Sequence, residues 1–204
     1  YSERRVRTAL RAVPDGVYHG EDVIDDDGHG GDPVVIKAEV TIAGDNISVD
    51  FEGTSAQVKS NINNPFASTV GATASVVKSV LTSDDIPFNS GASRAIHVTA
   101  PYGSILNPAP PAAVRARLLP SYRVYNAVMK ALAQALPERV VATGYDTTTS
   151  ACLSHLGENG YSIYLEIFGG GLGAGPTHDG CDGVDCPLSN CSNIPIEAMD
   201  MSYE

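Results

Sequence analysis

The chain has 204 residues, 43% of them hydrophobic, which is enough to bury the core of one large domain or two small ones and too apolar for a disordered polymer. Its 13 Lys and Arg against 24 Asp and Glu give a formal charge of -11, which repels a polyphosphate backbone and argues against nucleic acid as a partner. No apolar run approaches the ~20 residues that span a bilayer, and no basic start leads into an apolar stretch, so neither a membrane anchor nor a signal peptide is expected and the setting is read as cytoplasmic.

Residues 3–12 alternate Arg with small apolar residues. Val6, Ala9, Leu10 and Val13 fall on one stripe before Pro14, Asp15 and Gly16, which predicts an amphipathic helix. Three segments follow, Gly16 to Val23, Val34 to Ile42 and Ile47 to Glu52, in which β-branched residues alternate with polar ones. With Gly44, Asp45 and Asn46 as a turn, they read as an antiparallel meander. Asn64 and Pro65 have the form of a helix cap and first-turn proline, and Phe66, Val70, Val77, Val80 and Leu81 then recur at helical spacing, so a helix is expected to cover the sheet. Arg94 to Thr99 reads as a strand and Pro101 to Pro111 as a proline-rich connection. Ser121 opens a second long helix carrying Val124, Val128, Leu132 and Leu136, closed by Pro137. A last strand, Tyr161 to Phe168, runs into a glycine-dense loop from Gly169 to Gly183. The grouping of strands before helices predicts an α+β fold, with a mixed, largely antiparallel sheet covered by two long helices. A chain that opens in mid-helix at Tyr1 and closes on Glu197, Asp200 and Glu204 without a stop signal is read as one region, 1–204, of a larger subunit, truncated at both ends.

Four cysteines do not make a disulfide framework at this length. Cys181, Cys186 and Cys191 sit five apart in one polar loop with Cys152 remote, which is not the spacing of a zinc knuckle, so reduced thiols are expected. The acidic loop Asp25, Asp26, Asp27, Gly28, His29, Gly30, Gly31, Asp32 fails as an EF-hand because its twelfth position is Ile36, and it reads as a solvated turn. Gly169, Gly170, Gly171, Leu172 and Gly173 follow a strand, yet Pro176, His178, Asp179 and Gly180 replace the helix that a dinucleotide site requires. Two readings of this loop stay open: a cradle of backbone N–H groups for an anion or oxyanion, and a flexible surface loop. Within it His178, Asp179, Asp182 and Asp185 have the chemistry of a metal site or general base, and equally of polar turns. His19, His97 and His155 stand alone and are read as structural. GxSxG, HExxH and GxxxxGK signatures are absent, so any ATP is held elsewhere.

Four phrases in order carry a resemblance: "PDGVY" with "EDVIDDDG" (14–28), "VDFEGTSAQVKSNINNP" (49–65), "PFNSGASRAIHVTAPYGSILNPAPPAAV" (87–114), and "GGGLGAGPTHDGCDG" followed by "NIPIE" (169–197). Together they resemble the B-type component of the hydantoinase and oxoprolinase family, hydantoinase B. The resemblance implies an amidohydrolase subunit working with an A-type subunit that binds ATP with Mg and phosphorylates an enolised or imidic oxygen. The step that follows is ring opening of a cyclic amide, or carboxylation of an enol phosphate in the related ketone carboxylases. It also implies a divalent metal bound by an Asp and His cluster upstream of the stretch covered here; nothing in this chain matches that cluster, so no residue is assigned to a metal and the region alone is expected to be inactive. Catalytic roles are expected for His178, Asp179 and Asp182. Substrate contacts are expected from Thr54, Asn61, Asn63, Asn89, Arg115, Gly170, Gly171 and Gly173, since amides bind a ring amide from both sides and a guanidinium pairs with carboxylate or phosphate. A competing expectation is an assembly module whose partners carry the chemistry.

Overall fold

A computed structural model describes residues 1–82, 86–147, 149–158, 160–185 and 188–189. Helix α1, Ser2–Leu10, buries Val6 and Leu10 with Val13 just beyond it, on the stripe anticipated from its spacing. Its polar face is tied down as well: Arg7 reaches Asp45 and Asn46, and Arg11 pairs with Asp45.

Strands β1 (Gly16–Ile24), β2 (Val34–Ala43) and β3 (Asn46–Asp50) form the expected meander. Ala43 pairs with Asn46 across a two-residue turn, and Gly44 takes φ 62°, the left-handed conformation that favours glycine. Alternation along β2 puts Val34, Ile36, Ala38, Val40 and Ile42 in the core, while Lys37 and Glu39 face out. Strand β4, Ile96–Thr99, then joins the far side of β3 in parallel, giving the order β1-β2-β3-β4. One face of the sheet is therefore buried and the other polar, which is how an antiparallel sheet reads when helices cover a single face. The mixed, largely antiparallel sheet with two long helices matches the expectation.

The parallel pair needs a crossover, and helix α2, Phe66–Leu81, lies within it. Asn64 does not cap this helix; Pro65 does, without a side-chain bond. The Asn64 amide is buried and used sideways, donating to Thr69 Oγ1 at 3.0 Å and accepting from Ser121 Oγ at 3.1 Å. Phe66 is on the exposed side, and the buried face is built mostly from small residues, Thr69, Ala72, Thr73, Val76, Val77, Val80 and Leu81. A short helix α3, Ser90–Ser93, precedes β4. Helix α4 runs Leu118–Leu132, one turn earlier than Ser121, because Pro120 is tolerated in a first turn and Ser121 donates back to Arg117 O. It lies across β1 and β2 with α2 beside it. The approach to β1 is so close that a Cβ on Gly20 would sit 2.0 Å from Ala127 O.

A separate hairpin, β5 (Thr149–Gly157) with β6 (Gly160–Phe168), completes the described elements. Only β6 is legible in the sequence. In β5, Leu153 and Leu156 are three apart among small and polar residues, and with both faces of the ribbon largely exposed no burial imposes a period of two. No helix of the described residues is long and apolar enough to cross a membrane.

Candidate functional site

The glycine loop is a compact module. Residues 171–175 run back against 178–184, with Leu172 and Cys181 exchanging both backbone bonds (2.8 and 3.2 Å), Gly175 N–H donating to His178 O (3.0 Å) and Gly171 N–H to Val184 O (2.8 Å). On the other side 142–145 joins it, through Ala142 N–H to Ala174 O and Tyr145 N–H to Gly171 O. The glycines are required by this packing: a Cβ on Gly170 would fall 2.2 Å from the Tyr145 ring, and one on Gly173 2.4 Å from Ala142 O. Gly171, Leu172 and Gly175 thus spend their N–H groups on carbonyls within the module.

His178, Asp179 and Asp182 lie on the exposed side of this module. His178 sits against Gly175, with Nδ1 3.0 Å from Asp179 O. Asp185, by contrast, is 1% exposed, and Tyr122 Oη of α4 approaches its Oδ2 at 3.4 Å. Among the described residues no three His, Cys, Asp or Glu side chains converge as metal ligands. Cys152 and Cys181 are exposed free thiols, whereas Cys186, Cys191 and the "NIPIE" phrase lie outside the described residues.

The remaining sequence candidates are dispersed, and several have their polar atoms engaged. Asn63 is fully buried: Oδ1 accepts from Val58 N–H, and Nδ2 donates to the carbonyls of Val58, Ser60 and Ala113. Asn89 caps α3 by accepting from Gly91 and Ala92 N–H and donates to Ser2 Oγ. Thr54 Oγ1 accepts from Lys37 N–H and donates to Lys37 O, extending the edge of β2. Asn61 and Arg115 are exposed. Asn61 lines an open groove of about 740 Å3 with Asp25, Asp26, Asp27, Arg123 and Thr147. The acidic turn there is closed by Gly28 and His29 N–H groups donating to Asp26 and Asp27, as expected of a turn between strands.

One cluster escaped sequence reasoning. Asp22, on the helix-facing side of β1, accepts from Asn126 Nδ2 at 2.9 Å, Lys130 Nζ at 3.0 Å and Arg123 at 3.2 Å. Asn126 also donates to Asp146 Oδ2 at 2.8 Å, and Arg123 to Asp146 O at 2.9 Å. Burial alone would raise the Asp22 carboxyl, but the bonds from Asn126 and Lys130 and the Arg123 charge outweigh it and hold it below the ordinary carboxylate range. Asp146 goes the other way, raised first by burial and further by the Asp22 charge, against Asn126 and Arg123. The one available signal was an Asp at an inward position of an alternating strand, which needs a partner.

The sequence profile of the family Hydantoinase B/oxoprolinase matches residues 1–204. The chain belongs to the hydantoinase B/oxoprolinase family. It is 35% identical over 213 residues to the B-type component of a D-/L-hydantoinase from Pseudomonas sp. (strain NS671), covering 100% of this chain and 36% of that protein. It is 31% identical over 215 residues to 5-oxoprolinase 1 of Arabidopsis thaliana, covering 99% and 16%. The crystal structure of the ATP-dependent caprolactamase from Pseudomonas jessenii superposes with a TM-score of 0.86 at 27% identity, over 99% of this chain and 36% of that one. A nucleotide-free acetone carboxylase shares the fold, with a TM-score of 0.77 at 17% identity, over 100% of this chain and 30% of that one. This member of the hydantoinase B/oxoprolinase family thus spans roughly a third or less of the length of these relatives, and over that span its fold matches those of the two solved structures.

Proposed function

We propose that the chain is part of a B-type subunit of an ATP-dependent cyclic-amide hydrolase, acting on hydantoin or 5-oxoproline type rings together with an A-type subunit. The observation that carries this reading is the family match along the whole chain, joined to the 0.86 TM-score against an ATP-dependent caprolactamase. A ring amide is a weak electrophile, and its phosphorylation by ATP with Mg on the A-type subunit supplies an activation that side chains alone do not. The setting is cytoplasmic, where ATP is at hand, and the divalent metal is held by parts of such subunits outside this chain.

In this reading the exposed side of the glycine module faces the reacting ring. His178, Asp179 and Asp182 are the candidates for moving protons there, since each is exposed on that side. Asn61 and Arg115 are exposed groups available to a substrate or to the A-type subunit. Gly170, Gly171 and Gly173 serve the site through the backbone shape they hold, whereas Thr54, Asn63 and Asn89 hold backbone elsewhere in the fold and are not assigned to the ring. Reconstitution with the A-type subunit should give phosphate release that depends on a ring amide and not on bicarbonate. Release that requires bicarbonate and a ketone would overturn the hydrolase reading in favour of the carboxylase that shares this fold. Asp179→Asn with Asp182→Asn should lower turnover by about a hundredfold, the lower end of what a proton-transfer group contributes. Unchanged turnover in that variant would remove the module from the site.

A further inference from the structure

Two neighbouring side chains of α4 each hold the same two partners. Asn126 donates to the carboxylates of Asp22 and Asp146, and Arg123, three residues earlier and hence on the same side of the helix, donates to the Asp22 carboxylate and to the Asp146 carbonyl. Asp22 belongs to β1 and so to the core, whereas Asp146 directly follows 142–145, whose Ala142 and Tyr145 N–H groups bond the glycine module. Val140 and Val141 pack against the core just upstream, and the polar pair then meets the chain at Asp146, next to the stretch that backs the module. The far end of the module returns to the same helix, where Asp185 is buried beside Tyr122. A helix that touches both ends of the loop constrains its orientation, and two carboxylates drawn to one amide are costly to bury.

We propose that Asn126 and Arg123 are positioning residues, which clamp Asp146 to Asp22 and thereby set the glycine module, with His178, Asp179 and Asp182, at a fixed place on the core. Its bearing on catalysis rests on the reading that the module serves amide opening; the clamp itself does not.

The test is Asn126→Ala in the whole protein with its A-type partner, followed by hydrogen exchange and by steady-state turnover. Exchange at the amides of 142–145 and 171–181 should speed up at least tenfold while those of β2 stay unchanged. The kcat of amide opening should fall at least tenfold with KM for ATP unaltered. Asp146→Ala, which removes the carboxylate from the other side without touching the helix, should reproduce both effects and serves if Asn126→Ala does not fold. Asp146→Asn, which keeps an oxygen to accept from Asn126, should restore both. Module exchange that stays at the wild-type rate, or a rise spread equally over β2, overturns the clamp. A loosened module with unaltered kcat leaves the clamp standing but overturns its role in the reaction, and with it the placing of the site on this loop.

Discussion

Gly20 sits under α4 with no room for a methyl group: the added Cβ would lie 2.0 Å from Ala127 O and 2.8 Å from Ala131 N. Backbone atoms on both sides cannot swing away as a side chain would, so Gly20→Ala has to move the helix or the strand. Overpacking of this kind costs about 3 kcal/mol, and a lower denaturant midpoint with an unchanged slope is the expected result. Charge at the neighbouring Asp22 makes a second residue-scale prediction. Its folded-state pKa is lowered, so its carboxylate contributes stability above the unfolded value, and that contribution is lost as pH falls through the lower, folded value. Asp146 has a raised folded-state pKa, so its contribution is present below the unfolded value and fades as pH rises through the folded one. The two oppose each other across the carboxylate range. Asp146→Asn removes the opposing member and should steepen the loss of stability on acidification, read as thermal midpoint against pH.

At the scale of elements, the β5–β6 hairpin stands out for what it leaves uncovered. Leu156 pairs with Tyr161, Ser154 with Ile163 and Cys152 with Leu165, and opposite residues share a face, so four large apolar side chains line one side of the ribbon. They are 56% to 77% exposed. Side chains with so little to lose in burial contribute little to the fold. Ile163→Thr with Leu165→Thr should therefore change stability by less than about 0.5 kcal/mol, while lowering the binding of a hydrophobic dye. A clear loss of stability would mean that the face is covered in solution. Helix α2 shows the reverse situation, in which Thr69 and Thr73 are fully buried yet bonded, Thr69 to Leu106 O and Thr73 to Thr69 O. Small hydroxyl residues let α2 approach its neighbours and still satisfy every donor they bring.

Across the whole molecule, the parts legible from sequence are those where burial is one-sided. Alternation in β2 and the stripe of α1 follow directly from contact with one core, and the Gly44 turn follows from backbone sterics. What escaped is of two kinds. β5 has no buried face to write a period into its residues, and the start of α2 fails because Asn64, a good cap in isolation, is worth more as a buried bridge to Thr69 and Ser121. The site divides in the same way. Glycines 170 and 173 are visible as a motif, but whether they cradle a ligand or let two backbones touch depends on Tyr145 and Ala142, more than twenty residues upstream. The Asp22 cluster joins residues about a hundred positions apart, a distance at which no local pattern operates.

That same separation governs the order in which the chain can be completed. β1 is the outer strand of its sheet, and the carbonyls of His19 and Glu21 are met by Gln134 and Lys130, which follow them by 115 and 109 residues. Until α4 has left the ribosome, the meander that precedes it carries a bare hydrogen-bonding margin and an uncovered oily side. The early half of this chain must therefore wait, sticky and half-dressed, for a helix synthesised several seconds later.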